Sequence, residues 1–431
     1  MISQDEGDHQ EAISYLIQAN QANPANTQIL FQLAVSCNRM DMQTQAIDYY
    51  QQLLSINPHQ IEGLCNLGNL FQKNNQTLKA IDCYNRAIAL NPTIAQIHYN
   101  LGVCYQANFQ PEKAISSFRT VLRLDNKHAV ALNNLGVSLT ELGMIGEAIS
   151  CLRKAQKIDS TYADPLFNLH AILLNPEDLT ESIHCLEMAL QLEPANQSYR
   201  FFLGLLHDYR GDSAIAKRYF EIEQTTKAFQ ADLTAWQFIK QFQKNLPVIH
   251  GHASQVLKYA LQHAVVQGLV LEFGVFNGKS IRMIADLVEG PVHGFDSFEG
   301  IPEDWNHEKA GSYSTHQALP DVPGNVSLHP GWFHESIPEF IKKESSAIRF
   351  MNIDCDLYSS TKIVLSLMAA QVVAGTVIVF DEYIGNTSWK EDEHKAFQEV
   401  ATQHNWAYKL LNFSFMTKQL VVLIESVATF L

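Results

Sequence analysis

Leucine returns every 34 residues along the first half of the chain, at Leu33, Leu67, Leu101, Leu135, Leu169 and Leu203. A turn residue keeps the same step, at Pro24, Pro58, Pro92, Asn126, Ser160 and Pro194. Between these marks apolar positions recur at helical spacing, so each unit predicts two antiparallel helices. Helices that cross closely need a small side chain at the crossing. The first helix has Ala34, Gly68, Gly102, Gly136 and Gly204 there, with His170 departing. The second has Ala46, Ala80, Ala114, Ala148 and Ala216, with Ser182 departing. Tyr50, Tyr84, Phe118, Leu152, Leu186 and Phe220 fill the interleaved bulky sites. Ahead of these, HQEAISYLIQANQANP matches a second helix only, through Ala12, Leu16 and Ala19. The first unit therefore reads as a half-repeat, or as the remainder of something longer.

The period stops after Phe220. ADLTAWQFIKQFQKNL, 231–246, predicts an amphipathic helix with Ala235, Phe238, Ile239, Phe242 and Leu246 on one face. NLPVIHG breaks it, and HASQVLKYALQHAVVQ, 252–267, predicts another helix. This composition is unlike a flexible linker, so a packed join is expected. From Leu269 strands and helices alternate. LVLEF, PVHGFD, NVSLHPGWF, IRFMNID and TVIVFDE predict five strands, with helices after the first and after the fourth (Thr361–Val373). WAYKLLNFSF and KQLVVLIES close the chain as a hairpin. This is the order of a doubly wound, Rossmann-like α/β sheet. The expected organisation is an α-solenoid over 1–225, a helical join over 226–267 and an α/β domain over 268–431.

The first of these strands runs into Glu272, Gly274, Asn277, Gly278 and Ser280. Glycines let backbone approach a ligand, and the following helix offers unpaired N–H groups. The dinucleotide fingerprint would need further glycines at Phe276 and Lys279, so it is absent. An acid precedes the first glycine instead. It suits a cationic group, such as the amino group of S-adenosylmethionine. Asp296 follows 24 residues on, about the ~20-residue interval at which such folds hold a ribose. Asp354, Asp356, Asp381 and Glu382 also fall at strand ends, where ligands bind in open α/β sheets. Asp354, Asp381 and Glu382 form an oxygen-rich set suited to a hard cation such as magnesium. His394 and Asp354 are the candidate general bases; an exposed helical histidine among Glu391, Asp392 and Glu393 is the bland reading of the former. The loop from Gly300 to Asn325, with Trp305, His307 and Tyr313, is expected to enclose substrate.

The whole-chain totals narrow the field. The 431 residues carry a formal net charge of -15, which argues against nucleic-acid or anionic-membrane binding. No apolar run approaches the ~20 residues needed to span a bilayer. No basic and apolar leader is evident. The seven scattered cysteines read as small buried hydrophobes in a reducing compartment, which points to the cytoplasm.

The 34-residue units resemble tetratricopeptide repeats, whose stacked helix pairs form a concave face for a protein or peptide. Asn66, Asn69, Asn100, Asn133, Asn134 and Asn168 recur near the first helices; they face such a groove or an ordinary solvated surface. EFGVFNGKS, GFDSFEGIPEDW, NIDCDLYSST and VFDEYIG resemble the macrocin O-methyltransferase family, class I enzymes dependent on S-adenosylmethionine and magnesium. The resemblance covers roughly residues 250–425. It implies that Glu272, Gly274 and Gly278 line the methionine part, with Asn277 and Ser280 in the same turn. It places Asp296 on the ribose, with Ser297 and Phe298 beside it. It draws Asp354, Asp356 and Tyr358 from one motif and Asp381, Glu382 and Tyr383 from another. Glu382 stands where the family has a second aspartate, and the family lacks a long repeat half. A sugar or glycan hydroxyl is therefore the expected acceptor, without a macrolide being inherited. Two other readings stay open: a repeat protein with a cofactor-binding but non-catalytic domain, and a protein-directed methyltransferase. A homo-oligomer is compatible with each.

Overall fold

The computed structural model describes residues 4–242, 246–306 and 308–427. Two compact units divide the chain between Leu139 and Thr140. The first holds α1 (Gln4–Ala22), α2 and α3 (Thr27–Arg39, Gln43–Ile56), α4 and α5 (Ile61–Lys73, Thr77–Leu90), α6 and α7 (Ala95–Ala107, Pro111–Leu124), and most of α8 (Ala129–Glu141). The 34-residue rhythm has a steric cause. A Cβ on Gly68 would stand 2.7 Å from the Tyr84 ring, and one on Gly102 2.6 Å from the Phe118 ring. The small residue of each first helix is thus the seat of the bulky residue of its partner. The recurrent asparagines join neighbouring helices. Asn66 donates to the Tyr50 hydroxyl (3.0 Å), Asn100 to Asn69 (2.9 Å) and Asn134 to the Tyr99 hydroxyl (3.3 Å).

The second unit continues with α9 (Ile145–Ile158), α10 and α11 (Asp164–Ile172, Thr180–Leu192), and α12 and α13 (Gln197–Tyr209, Ser213–Phe220). Both departures from the small-residue rule fall on the α10–α11 pair. The fully buried His170 ring packs against Phe167 and Phe202, and Ser182 donates to the His170 carbonyl at 2.8 Å. Next to it, Ala171 takes the close approach of Gly251, where any Cβ would meet the Ala171 carbonyl oxygen at 1.7 Å. The repeat is modified where the backbone of the join lies against it.

The join consists of α14 (Lys227–Lys240), β1 (Val248–Ile249) and α15 (Ala253–His263). The helix expected over 231–246 begins earlier and ends at Lys240, and residues 243–245 lie outside the described residues. The expected break at NLPVIHG contains a strand. β1 runs parallel to β7 (Ala407–Ser414) and adds an outer strand to the sheet. The other strands are β2 (Leu269–Phe273), β3 (Val292–Asp296), β4 (Val326–Pro330), β5 (Ile348–Ile353), β6 (Val377–Phe380) and β8 (Gln419–Ser426). Their order is β1-β7-β8-β6-β5-β2-β3-β4. The block from β6 to β4 is parallel, and β8 is antiparallel to both β6 and β7. Helices α16 (Lys279–Leu287), α17 (Phe333–Ile341), α18 (Tyr358–Met368) and α19 (Glu393–Gln403) cover the sheet. The sequence pattern had not indicated α17, which contains Pro338.

Alternate residues of the central strands feed two apolar clusters. Leu271, Phe273, Ile378 and Phe380 belong to one, and Val270, Val377 and Val379 to the other. That is the two-sided burial of a parallel sheet. The first cluster also takes in Phe201, Leu205, Phe229 and Trp236, so the last repeats, the join and one face of the sheet share a core. A polar knot locks it. Asp208, almost buried, accepts from the Trp236 indole (2.8 Å), Lys240 (2.7 Å) and Ser213 (2.7 Å). Asp208→Ala would strand the indole N–H and the ammonium, at a cost of roughly 1–3 kcal/mol. The expected outcome is a lower urea midpoint for the second unit, while Glu181→Ala, which removes the exposed Arg153 partner, leaves the midpoint where it was.

Candidate active site

β2 has neighbours of opposite direction in the chain: β3 follows it on one side, and the chain then crosses back to β5 on the other. Such a switch point opens a crevice at the carboxyl ends of the strands. Gly274 leaves β2 with φ +91°, and a Cβ there would meet the Asp354 carbonyl oxygen at 1.7 Å. The ends of β2 and β5 therefore touch backbone to backbone. The turn continues through Phe276 (φ +48°) to Gly278 (φ +81°), the residue capping α16. Non-glycine residues rarely adopt this region, and Asp296 compensates. Its Oδ2 accepts from the Val275 and Phe276 N–H groups at 2.8 and 2.7 Å, and its Oδ1 from Phe298 N–H at 2.6 Å. Asp296 thus knits the turn after β2 to the turn after β3. Phe298 is buried with φ +58°, and Ser297 accepts from Glu299 N–H. Asn277 accepts from Lys279 N–H at 3.2 Å.

Glu272 is fully buried. It accepts from Asn352 (2.9 Å) and interacts with Ser280, and its Oε2 has no donor. Burial pushes its carboxyl up to about 8. A cationic group placed beside such an acid would favour its charged form and draw off that proton.

Beside it lie Asp354, Asp356, Asp381, Glu382 and Glu393. Burial, then Asp381 and the other neighbouring carboxylates, raises Asp354 well above the usual range. Burial, then Glu382 and Asp381, lifts Asp356 to about 7, and its backbone is left-handed at φ +60°. Asp381 is raised by burial against the pull of Gln419, which donates to it at 2.6 Å, and of Lys279 and Lys418. Glu382 reaches about 7, chiefly through burial, while pairing with Lys418 at 3.1 Å. Glu393 rises through burial and then through Asp356, Asp381 and Glu382. Asp232, brought in by α14, is pushed to about 7 by burial, opposed by the same Lys418.

The expected cation set, Asp354, Asp381 and Glu382, comes together in this region without closing on one point. Among the described residues no three histidine, cysteine, aspartate or glutamate side chains stand ready to hold one metal ion. Gln419 holds Asp381 and Lys418 holds Glu382 instead. The donor chemistry still suits a hard cation, being carboxylate oxygens with bare atoms at Glu272 Oε2 and Glu393 Oε1.

His394 is neither exposed nor directed at these acids. Its ring sits among Phe238, Tyr383 and Trp389 at 4.9–5.1 Å, and burial pulls it down to about 4. Tyr358 donates to Glu399 at 2.7 Å, on the outer side of α18 and α19. The Gly300–Asn325 loop is tied down on both flanks, by Ser359 donating to Glu303 (2.5 Å) and Ser388 to Asn306 (3.2 Å). Its Tyr313 meets the Phe276 ring at 5.8 Å, and its hydroxyl feels Asp356, Glu382 and Asp354. His307 lies outside the described residues. Glu393, Lys418, Gln419, Asn352 and Asp232 are the residues of this site that sequence reasoning missed. A lysine–glutamine pair opening the last strand of a hairpin carries no motif, and a run of acids on a helix ordinarily means a solvated face.

Comparison with known proteins agrees with this architecture. Residues 271–383 match a family profile described as a methyltransferase domain. Residues 27–60, 61–94, 83–116 and 129–162 match profiles described as tetratricopeptide repeats. No curated protein matches the chain. Similar solved structures include YrrB, titled a TPR protein with an unusual peptide-binding site, at 18% identity over 45% of this chain and 97% of that one, TM-score 0.39. PilF of Pseudomonas aeruginosa is 17% identical over 45% and 88% of the two chains, TM-score 0.40. A tetratricopeptide repeat protein of Parabacteroides merdae is 19% identical over 51% and 88%, TM-score 0.44. The chain thus joins a tetratricopeptide solenoid to an α/β domain of methyltransferase type. No helix among the described residues is long and apolar enough to cross a membrane.

Two outcomes are expected. Gly274→Ala forces a Cβ into the Asp354 carbonyl in a left-handed backbone, and thermal denaturation will show it strongly destabilised. Glu272 supplies a pH dependence. Its carboxyl releases its proton near the ordinary 4.5 when unfolded and near 8 when folded. Between those values the native chain holds the extra proton, so stability falls as pH rises. Without ligand, the melting temperature will decline from pH 5 to pH 8, and Glu272→Gln will make that decline shallower.

Proposed function

We propose that the chain is an S-adenosylmethionine-dependent, magnesium-assisted O-methyltransferase acting on a sugar or glycan hydroxyl, with its repeat half docking a protein or peptide partner. The observation that carries this reading is the gathering of buried and half-buried carboxylates at the switch point, with bare oxygens at Glu272 and Glu393 and little positive charge to balance them. S-adenosylmethionine would supply an electrophilic methyl group and a cationic amino group; magnesium would lower the pKa of an alcohol. Glu272, steadied by Asn352, would hold the amino group. The turn from Gly274 to Gly278, free of side chains at its two glycines, would let backbone approach the cofactor closely. Asp296 already spends most of its acceptor capacity on three N–H groups, which leaves room for about one ribose hydroxyl. Asp354, Asp381 and Glu382 would hold magnesium. Asp354 is the favoured base: it lies at the switch point, whereas His394 is enclosed by aromatic rings. The loop carrying Tyr313 would exclude water and help hold the hydroxyl in line, the main source of rate.

A non-catalytic reading draws on Glu382, whose carboxylate is already paired with Lys418. Calorimetric titration separates the possibilities. S-adenosylmethionine should bind the full chain, more tightly with magnesium, and Glu272→Ala should weaken it by about 1–3 kcal/mol, the range for losing a buried charged hydrogen bond. Absence of heat at millimolar cofactor would end the methyltransferase reading. With a glycan acceptor in hand, Asp354→Ala should abolish transfer while cofactor still binds; if Asp354→Ala turns over normally, Asp354 is not the base.

A further inference from the structure

We infer that Glu393 is the anchoring carboxylate of the cation position, a role that rests on the magnesium reading above. It is the first residue of α19 and is fully buried. Its Oε2 accepts from the backbone N–H of Glu382 at 3.2 Å. Its Oε1 is sealed from solvent and has no donor. Among the neighbouring acids Asn352 donates to Glu272, Gln419 donates to Asp381 and Lys418 pairs with Glu382, while Glu272 Oε2 shares the bare state of Glu393 Oε1. Glu393 is held in place by one oxygen and leaves the other bare, against the loop that carries Asp381 and Glu382. A first-turn glutamate that served only the helix dipole would gain by staying in water. Burying a carboxylate without a donor is costly, and a cation drawn in by Asp381 and Glu382 would complete it.

The brace and the ligand are separable. In Glu393→Gln the amide oxygen can still accept from Glu382 N–H, while the charge is gone. Manganese(II), a magnesium stand-in visible by electron paramagnetic resonance, is titrated into the full chain and into this variant, and metal-free melting temperatures are recorded alongside. The expected result is a manganese affinity lowered by ~10-fold or more, as for groups that support a metal site, with a metal-free melting temperature equal to or above the parent's. Glu391→Gln, one turn-neighbour away, exposed and paired with Lys395, should bind as the parent does. Unchanged affinity in Glu393→Gln would overturn the inference and leave Glu393 a brace. If the parent chain takes S-adenosylmethionine but no manganese, the cation reading itself fails, and the parent arm alone shows it. Should Glu393→Gln not fold, Glu393→Asp, which keeps the charge on a shorter arm, decides by the same criterion.

Discussion

Like charges crowded into a crevice where water has only partial access set the terms for the α/β domain. Coulomb repulsion between carboxylates grows as the surroundings lose polarity, and burial alone already disfavours each charge. Glu272, Asp354, Asp356 and Glu393 are all placed under this double penalty. In the absence of ligand, protons and Lys418 relieve it. The arrangement is unfavourable for folding, and such groupings are found where function demands a specific charge balance. The sheet holds the acids together: β2, β5 and β6 are central strands, paired on both edges and with both faces covered.

That hold begins in backbone contact. The Gly274 turn lies against the Asp354 carbonyl with no space for a side chain, so the first acid-bearing strand and the third are spaced by main chain alone. Asp296 adds a second restraint by tying three amides from two loops to one carboxylate. The left-handed residues Phe276, Phe298 and Asp356 are the cost of folding three loops into one crevice. The turns around the crevice are thus held by their own main chain and by Asp296.

Much of this was legible in the sequence. The 34-residue period follows from steric seats such as Gly68 beneath Tyr84, and steric seats leave a strict residue pattern. Strand ends bearing Glu272, Asp296, Asp354 and Asp381 were legible because apolar runs stop at them. Register across the sheet was not: that Asn352 on β5 reaches Glu272 on β2 depends on pairing between residues 80 apart in the chain. β1 escaped notice because two residues carry no period. The surroundings of His394 were hidden for a related reason: the run Glu391-Asp392-Glu393-His394 looks solvated in sequence, yet Glu391 stays exposed in the turn before α19 while Glu393, the first residue of the helix, is buried.

Of the residues that sequence missed, all but Asn352 lie outside the matched methyltransferase segment, 271–383. Asp232 comes from the join, Glu393 from the helix after the acid-bearing loop, and Lys418 and Gln419 from the final hairpin. Through α14 the site reaches toward the repeats: Thr234 accepts from the Trp389 indole at 3.3 Å, and Phe238 packs on Trp389 and His394. Trp389 and Asp381 share one loop, so α14, the first helix of the join, also braces the loop that carries Asp381 and Glu382. The same helix carries Trp236 and Lys240, which donate to Asp208 of the last repeat, and so ties the position of the acids to that repeat.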